Sequence, residues 1–466
     1  MNGIRALTLP DKWTASAEAI AAFDRCLLVG FGRLGPEQTS ALERLTRICA
    51  GTPLDRSIAD AVTALGRHEF LGRHFAALAC ARGAIQGAQH DALRRCAADA
   101  LGRPLSEETA ATAVEPIREA EGSLAVWQES TREWLMELAL AGFQQLEAQT
   151  LAPFTATLEQ LQGEPTATRL AALLTGFRDE LLAALPISTG ANVPLFRWSD
   201  LWTRAMIGTL RAPAALAGQK IDGTLTVLGV DLHHHGSFVS AVFSGLLETG
   251  GEARGVRVTQ SAYKVDVLGG QELWRCFDCT AAPLLQALGQ RKQLKIAGST
   301  LLDSGDLLWE GTVSVGSGIS LAQSAAPFAP GSEPAPLAPA TGAADRHPIQ
   351  IAEPVWFENY TVQNGDGIRL QFESDVTLDV ATHRISGASE LQPEHVAGSS
   401  GMFGLLRFDG GRWQVQPLAV MAAGKKGKPA ETYTGSGAFE ALTKKRKDDT
   451  LTQLHERASR LLRKKA

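Results

Sequence analysis

The run "DLHHHGS" at residues 231–237 gathers the side chains best suited to chemistry in this chain. On an extended strand, residues two apart share a face, so Asp231, His233 and His235 would offer a carboxylate and two imidazoles to Zn²⁺, Fe²⁺ or Mn²⁺. A site of the His-x-His type would also need a glutamate three or four residues further on. Here "GSFVSAV" follows, and the next acid is Glu248. The same residues have a plainer use, with His234 in solvent and His233 and His235 hydrogen-bonded at a strand end. One C-x-x-C, Cys276 and Cys279 in "WRCFDCTAAPLLQALG", supplies half of a zinc site. Only folding could join it to His233 and His235; without that contact, and without a helix N-terminus in a thioredoxin-like setting, the two are free thiols.

"CLLVGFGRLGPEQ" contains a formal G-x-G-x-x-G at Gly30, Gly32 and Gly35. A dinucleotide cradle needs a strand before the glycines and a helix after them, so that the pyrophosphate rests on the helix N-terminus. The residues before them read instead as a helix from near Ser16, and Pro36 opens a second helix. The glycines therefore read as a helix–turn–helix corner with a glycine C-cap. Asp303, Asp306 and Glu310 in "LLDSGDLLWEG" could form an acid/base pair, but Asp beside Gly reads more simply as turn chemistry. No phosphate loop, nucleophile elbow, H-E-x-x-H or kinase signature is present, and "GKKGK" at 424 lacks a phosphate loop's spacing.

The elements that would carry these residues change character along the chain. The 466 residues are 44% hydrophobic and 20% charged, with a formal charge of −5, which suits a folded protein and excludes a dedicated nucleic-acid coat. The six cysteines lack the framework of a disulfide-stapled secreted protein. The first residues lack a signal-peptide pattern, and no window approaches a membrane span. From about Thr14 to Leu185 apolar residues recur at three and four; Trp127, Trp134, Leu138 and Leu146 mark one amphipathic helix. Near 220 the period becomes two, clearest in "GIRLQFESDVTLDVATHRI", where Ile368, Leu370, Phe372, Val376, Leu378 and Val380 share one parity. "QNGDGI" and "FDGGRW" read as hairpin turns.

The predicted fold is α+β: an all-α domain over 1–215, then mainly antiparallel β structure in two parts, 220–320 and 349–421. A Pro/Ala-rich linker or long loop, 322–348, separates the parts, and a basic tail, 424–466, ends the chain. The tail carries 12 Lys/Arg against 5 Asp/Glu, a net +7, and so leaves −12 on residues 1–423. Leu451, Leu454, Ala458 and Leu461 recur at helical spacing, and Lys444, Lys445, Arg446, Lys447, Arg460, Arg463, Lys464 and Lys465 form a partner-binding candidate beside them.

Without a recognisable reaction motif, this layout predicts a non-catalytic cytoplasmic adaptor or scaffold subunit with protein partners, and neither a cofactor, a dinucleotide nor a membrane contact. The alternatives are a divalent-metal enzyme centred on Asp231, His233 and His235, and a nucleic-acid accessory protein acting through the tail.

Overall fold

The computed structural model describes residues 4–103, 119–212, 218–235, 238–265, 267–302, 304–332, 351–422 and 432–434. An N-terminal helical region is followed by two β-sheets, as the change of period predicts. The helical region comprises α1 (Trp13–Val29), α2 (Pro36–Cys49), α3 (Asp55–Gly66), α4 (Gly72–Ala100), α5 (Gly122–Ala141), α6 (Ala148–Leu151), α7 (Thr155–Gly163), α8 (Thr168–Ala184) and α9 (Leu195–Gly208).

The glycine cluster ends α1, and Cys26–Val29 is helical. Gly30 caps the helix at φ 99°, and its N–H donates to Cys26 O at 2.8 Å. The next two amides cross to a neighbour: Phe31 N–H donates to Ala139 O at 2.9 Å and Gly32 N–H to Leu140 O at 3.1 Å, both carbonyls near the end of α5. Gly142 caps α5 in the same way at φ 87°. A Cβ at Gly30 would lie 2.6 Å from Leu140 O, and one at Gly142 2.4 Å from the Val29 carbonyl carbon. Two helix ends thus meet backbone to backbone, which only residues without side chains permit. Pro36 then opens α2, where Gly35 N–H donates to Gln38 Oε1 at 3.0 Å.

The core of this layer is aromatic and encloses a charged cluster, Arg82 with Asp24 and Asp200. Trp134 stacks on Phe154 at 4.0 Å, and Leu138 and Leu146 are buried beside it, so the tryptophan stripe packs inward. Arg82 of α4 is fully buried. Its Nε donates to Asp24 Oδ1 of α1 at 2.7 Å, its Nη2 to Asp24 Oδ2 at 3.0 Å, and Asp200 of α9 lies 3.9 Å away. Burial nevertheless raises the Asp24 carboxyl above its ordinary value, against the pull of Arg82.

The first sheet contains β1 (Gly218–His235), β2 (Phe238–Thr249), β3 (Glu252–Tyr263), β4 (Lys292–Leu302), β5 (Leu307–Leu308) and β6 (Thr312–Gly318), with α10 (Asp278–Gln290) between β3 and β4. Its order is β3-β2-β1-β4-β5, with β6 also on β4, and each of these pairs is antiparallel. Leu284, Leu285 and Leu288 of α10 are buried against Leu225, Val227, Phe243 and Leu294. Arg257 N–H reaches across from β3 to Gly305 O at 3.0 Å, so the sheet curls almost onto itself around the helix.

After α11 (Leu321–Ala325) comes the second sheet: β7 (Glu353–Glu358), β8 (Tyr360–Asn364), β9 (Ile368–Phe372), β10 (Thr377–Val380), α12 (Pro393–Ala397), β11 (Ser399–Asp409), β12 (Arg412–Ala422) and β13 (Thr432–Thr434). Its order is β7-β11-β12-β10-β9-β8, with β13 also on β12. Leu370, Phe372, Leu378 and Val380 are buried while Arg369 pairs with Asp379 outside at 3.0 Å, as their parity predicts. Both hairpins form where predicted, with Asn364 opposite Ile368 and Asp409 opposite Arg412; Gly410 and Gly411 there have φ of 58° and 79°. One pairing departs from the antiparallel pattern: Asp379 and Val380 run parallel to Gln414 and Val415.

The start of the Pro/Ala-rich stretch is packed, since α11 lies there and Phe328 meets Phe403 at 5.5 Å. Residues 333–350 lie outside the described residues, as does nearly all of 423–466, including the helix expected there.

Several contacts join the layers. Arg103 is buried and donates to the carbonyls of Pro354, at 3.1 Å, and Phe328; burial draws it down to about 10. Leu228 and Leu246 meet Trp356, Phe403, Leu405 and Leu418 between the sheets. There a Cβ on Gly229 would stand 2.5 Å from Leu418 Cβ.

Gly30→Ala is expected to lower stability by about 3 kcal/mol, combining left-handed strain with a backbone clash, whereas Gly51→Ala should lose only about 1 kcal/mol. Gly51 has φ 74° but open space around it. Urea unfolding of both variants separates the two effects; equal losses would show that the close approach contributes nothing.

Candidate functional site

Residues 218–235 form one long strand whose apolar and polar side chains alternate as far as Val227; a bulge between Val227 and Gly229 then shifts the parity, and beyond it Asp231 and His233 share the face away from the α10 core. Val230 and Leu232 turn the other way, into the core around α10. Asp231 is 4% exposed and faces the second sheet. Its Oδ1 accepts from Gln416 Nε2 of β12 at 2.7 Å, and its Oδ2 accepts from Arg407 Nη2 of β11 at 3.0 Å. Arg407 Nε donates in turn to Gln416 Oε1, which closes a ring of three side chains from three strands. His233 Nε2 lies 2.8 Å from Asp231 Oδ2, and its side chain is 48% exposed. The contact fixes the imidazole at the mouth of the seam with Nδ1 turned from the carboxylate.

Burial pushes the Asp231 carboxyl up, but the hydrogen bond and charge of His233, the charge of Arg407 and the amide of Gln416 together outweigh it. The group titrates below its ordinary value of 3.8. Burial draws Arg407 below its usual value, yet a guanidinium begins so far above neutrality that it stays charged. Beside the ring is a water-sized cavity of about 10 Å³, lined by Asp231, Gln416, Ser386, Ser389 and Arg384. Arg384 itself pairs with Asp409 at 2.8 Å.

The arrangement bears directly on each residue that the sequence offers for chemistry. Asp231 and His233 do meet, but both oxygens of the carboxylate are taken, one of them by a cation, so a metal at this point would have to displace Arg407 or share its charge. His234 is exposed, opposite Val239 on the neighbouring strand. His235 pairs its backbone with Phe238, and its side chain lies outside the described residues. Among the described residues no three His, Cys, Asp or Glu side chains are grouped to hold a metal.

Cys276 sits on the turn before α10, against the core that Val230 and Leu232 join, on the opposite face of β1 from Asp231; burial raises its thiol. The Cys279 side chain lies outside the described residues. Asp306 pairs with Arg257 at 3.0 Å, and Glu310 accepts from Lys220 and Thr300, which hold its carboxyl below the ordinary range. Asp303 is outside the described residues, and so are Lys444, Lys445, Arg446, Lys447, Arg460, Arg463, Lys464 and Lys465.

Two features were not anticipated from the sequence. Arg407 and Gln416 stand within strands that are largely apolar, "GLLRFDGGRWQVQPLAV", and a cation between Leu406 and Phe408 was the available signal. The second is a groove of about 640 Å³ on the helical layer. Ala84, Ala88 and Ala92, one turn apart on α4, line it with Ile85. One wall is Pro10–Ser16 with Trp13, and the other is the α2–α3 corner with Ile48 and Leu54. Ile48 is 40% exposed. A stripe of alanines at this spacing leaves room for another helix to approach closely.

In comparisons with known proteins, no family model matches the chain, and no curated protein matches its sequence. The residues must therefore be read on their own chemistry.

Replacing Arg407 by Met leaves the Asp231 carboxylate buried without its cation and is expected to lower stability by about 3–5 kcal/mol. The double variant Arg407→Met with Asp231→Leu should recover most of that loss. The unfolded chain takes up the Asp231 proton at a higher pH than the folded one, so the contribution is complete above about pH 4 and falls away as pH drops through the lower folded value. Asp231→Asn should remove this part of the acid sensitivity. Urea midpoints between pH 7 and 2.5 check both expectations; an unchanged acid profile in Asp231→Asn would contradict the assignment.

Proposed function

We propose that this chain is a non-catalytic adaptor or scaffold subunit of a multi-protein assembly, working in the cytoplasm, and that its helical layer takes an apolar helix of a protein partner. The groove carries this reading. It is apolar, lined by small side chains along two turns of α4, and shaped by three separate elements of the layer. An apolar concavity with a small-residue floor suits an amphipathic helix. The Asp231 cluster supports the same reading, because its charges are spent on one another across the sheet interface. In further support, the five described cysteines Cys26, Cys49, Cys80, Cys96 and Cys276 are free thiols, as a reducing compartment favours. No described helix is long and apolar enough to cross a membrane. The basic tail would add an electrostatic contact to an acidic partner surface, screened by salt.

Ala88→Arg places a charge on the groove floor while leaving α4 with a good helix former. Purified from its own cells, the full chain is expected in a complex of fixed stoichiometry by native mass spectrometry, with at least tenfold weaker association for Ala88→Arg at unchanged circular dichroism. A solitary chain, or a complex indifferent to Ala88→Arg, would reject the adaptor reading.

A further inference from the structure

We propose that in the free protein the groove is occupied by the same chain's C-terminal segment, residues 440–465, docked as an amphipathic helix. The inference rests on the groove being the docking surface and adds what holds it before a partner arrives.

Three observations favour this occupant. The first is pattern: Leu451, Leu454, Ala458 and Leu461 make one apolar stripe over a little more than ten residues, about 15 Å of helix. The floor from Ala84 to Ala92 spans about 12 Å of α4, so stripe and floor agree in length. Leucines on one side and alanines on the other interlock as large and small surfaces do.

The second is charge. The tail carries +7 against −12 for residues 1–423, and a basic segment is drawn to such a body. At the groove itself Asp11 stands beside Lys12, so the local rim is mixed and the net field supplies the attraction.

The third is reach. The last described strand, β13, ends at Thr434 on the edge of the second sheet, where Tyr433 stacks on His395 at 3.7 Å. The next 17 residues to Leu451 span up to about 58 Å when extended. A protein of this length has a radius of gyration of about 23 Å, so such a segment reaches surfaces that adjoin the second sheet. The groove adjoins the second sheet, since Trp13 packs on Phe408 at 4.9 Å.

A self-docked tail would make the apolar slot soluble in the free chain, and a partner helix would have to displace it. The adaptor would then be capped at rest, and its basic segment would be released to the partner when the slot fills.

The test uses the full chain with a photoreactive benzoylphenylalanine at Ile48, on the exposed wall. Irradiation is expected to give an adduct of monomer mass linking position 48 to peptides within 444–465, with at least tenfold lower yield in Leu454→Glu/Leu461→Glu. An adduct of dimer mass, which would mean a second copy's tail, an adduct elsewhere in the chain, or none, overturns the proposal. Hydrogen exchange on the unsubstituted chain gives an independent readout: amides of 451–461 should be protected at least tenfold, and Ala88→Arg should abolish that protection. Exchange at the coil rate in the unsubstituted chain overturns it as well. If the adduct fails to form while Ala88→Arg still breaks the partner complex, self-capping falls and the adaptor stands. The reverse pair of results removes the adaptor and keeps the capped groove.

Discussion

A single carboxylate, Asp231, sets the relation between the two sheets. Taking an ion out of water is expensive unless every lone pair finds a donor, and a buried pair adds little net stability over apolar residues of the same size. Its stronger effect is on geometry. Gln416 and Arg407 can reach both oxygens only when β1, β11 and β12 stand in one register, and Gly229 against Leu418 permits that approach. A slip by one residue in any of the strands would carry its side chain to the other face and strand a charge.

The same device appears at the other junctions of the molecule. Arg82 joins α1, α4 and α9 within the helical layer, and Arg103 ties the end of α4 to the backbone on either side of 333–350. Each guanidinium is planar and offers several fixed donors, so it satisfies partners on separate elements at once, which a lysine could not. The 29-residue α4 runs through both environments, from Arg82 in the helical core to Leu93 and Ala97 against the second sheet. Between those two points it presents the alanines of the groove. The groove lies where a helix leaves one core and has not yet entered the next.

Much of this architecture could be read from the sequence because it depends on neighbours in the chain. The helix ending at Gly30, the start at Pro36, both hairpin turns and the alternation from Ile368 to Val380 are local patterns, and each appears where its period put it. What could not be read depends on contacts distant in sequence. Asp231 and Arg407 are 176 residues apart, and nothing near either names the other. The metal-like grouping of Asp231 with two histidines followed from strand geometry alone. Strand geometry says which side chains share a face, but not what the opposing surface brings to them. Here it brings a cation. The parallel pairing of β10 with β12 and the packing of Phe328 were hidden for the same reason, since both are chosen by the partner surface.

The glycine corner shows the converse, a local pattern whose purpose is distant. Gly30 and Gly32 satisfy a nucleotide-loop pattern in one dimension, yet the amides of Phe31 and Gly32 donate to the carbonyls of Ala139 and Leu140 from another helix. In both settings glycine lets a backbone come close to an acceptor; a cradle turns its amides to phosphate and this corner turns them to protein. The difference is the element in front, strand in one case and helix in the other, because a helix end leaves its final carbonyls unpaired and its successor's amides free to cross. Where two helices end together, the chain leaving one can satisfy the other: Phe31 and Gly32 donate to the last carbonyls of α5, and Gly30 and Gly142 leave room for that approach. A ligand placed there would have to break those bonds, which is why the reading of function moves from the glycines to the surface that α4 leaves open.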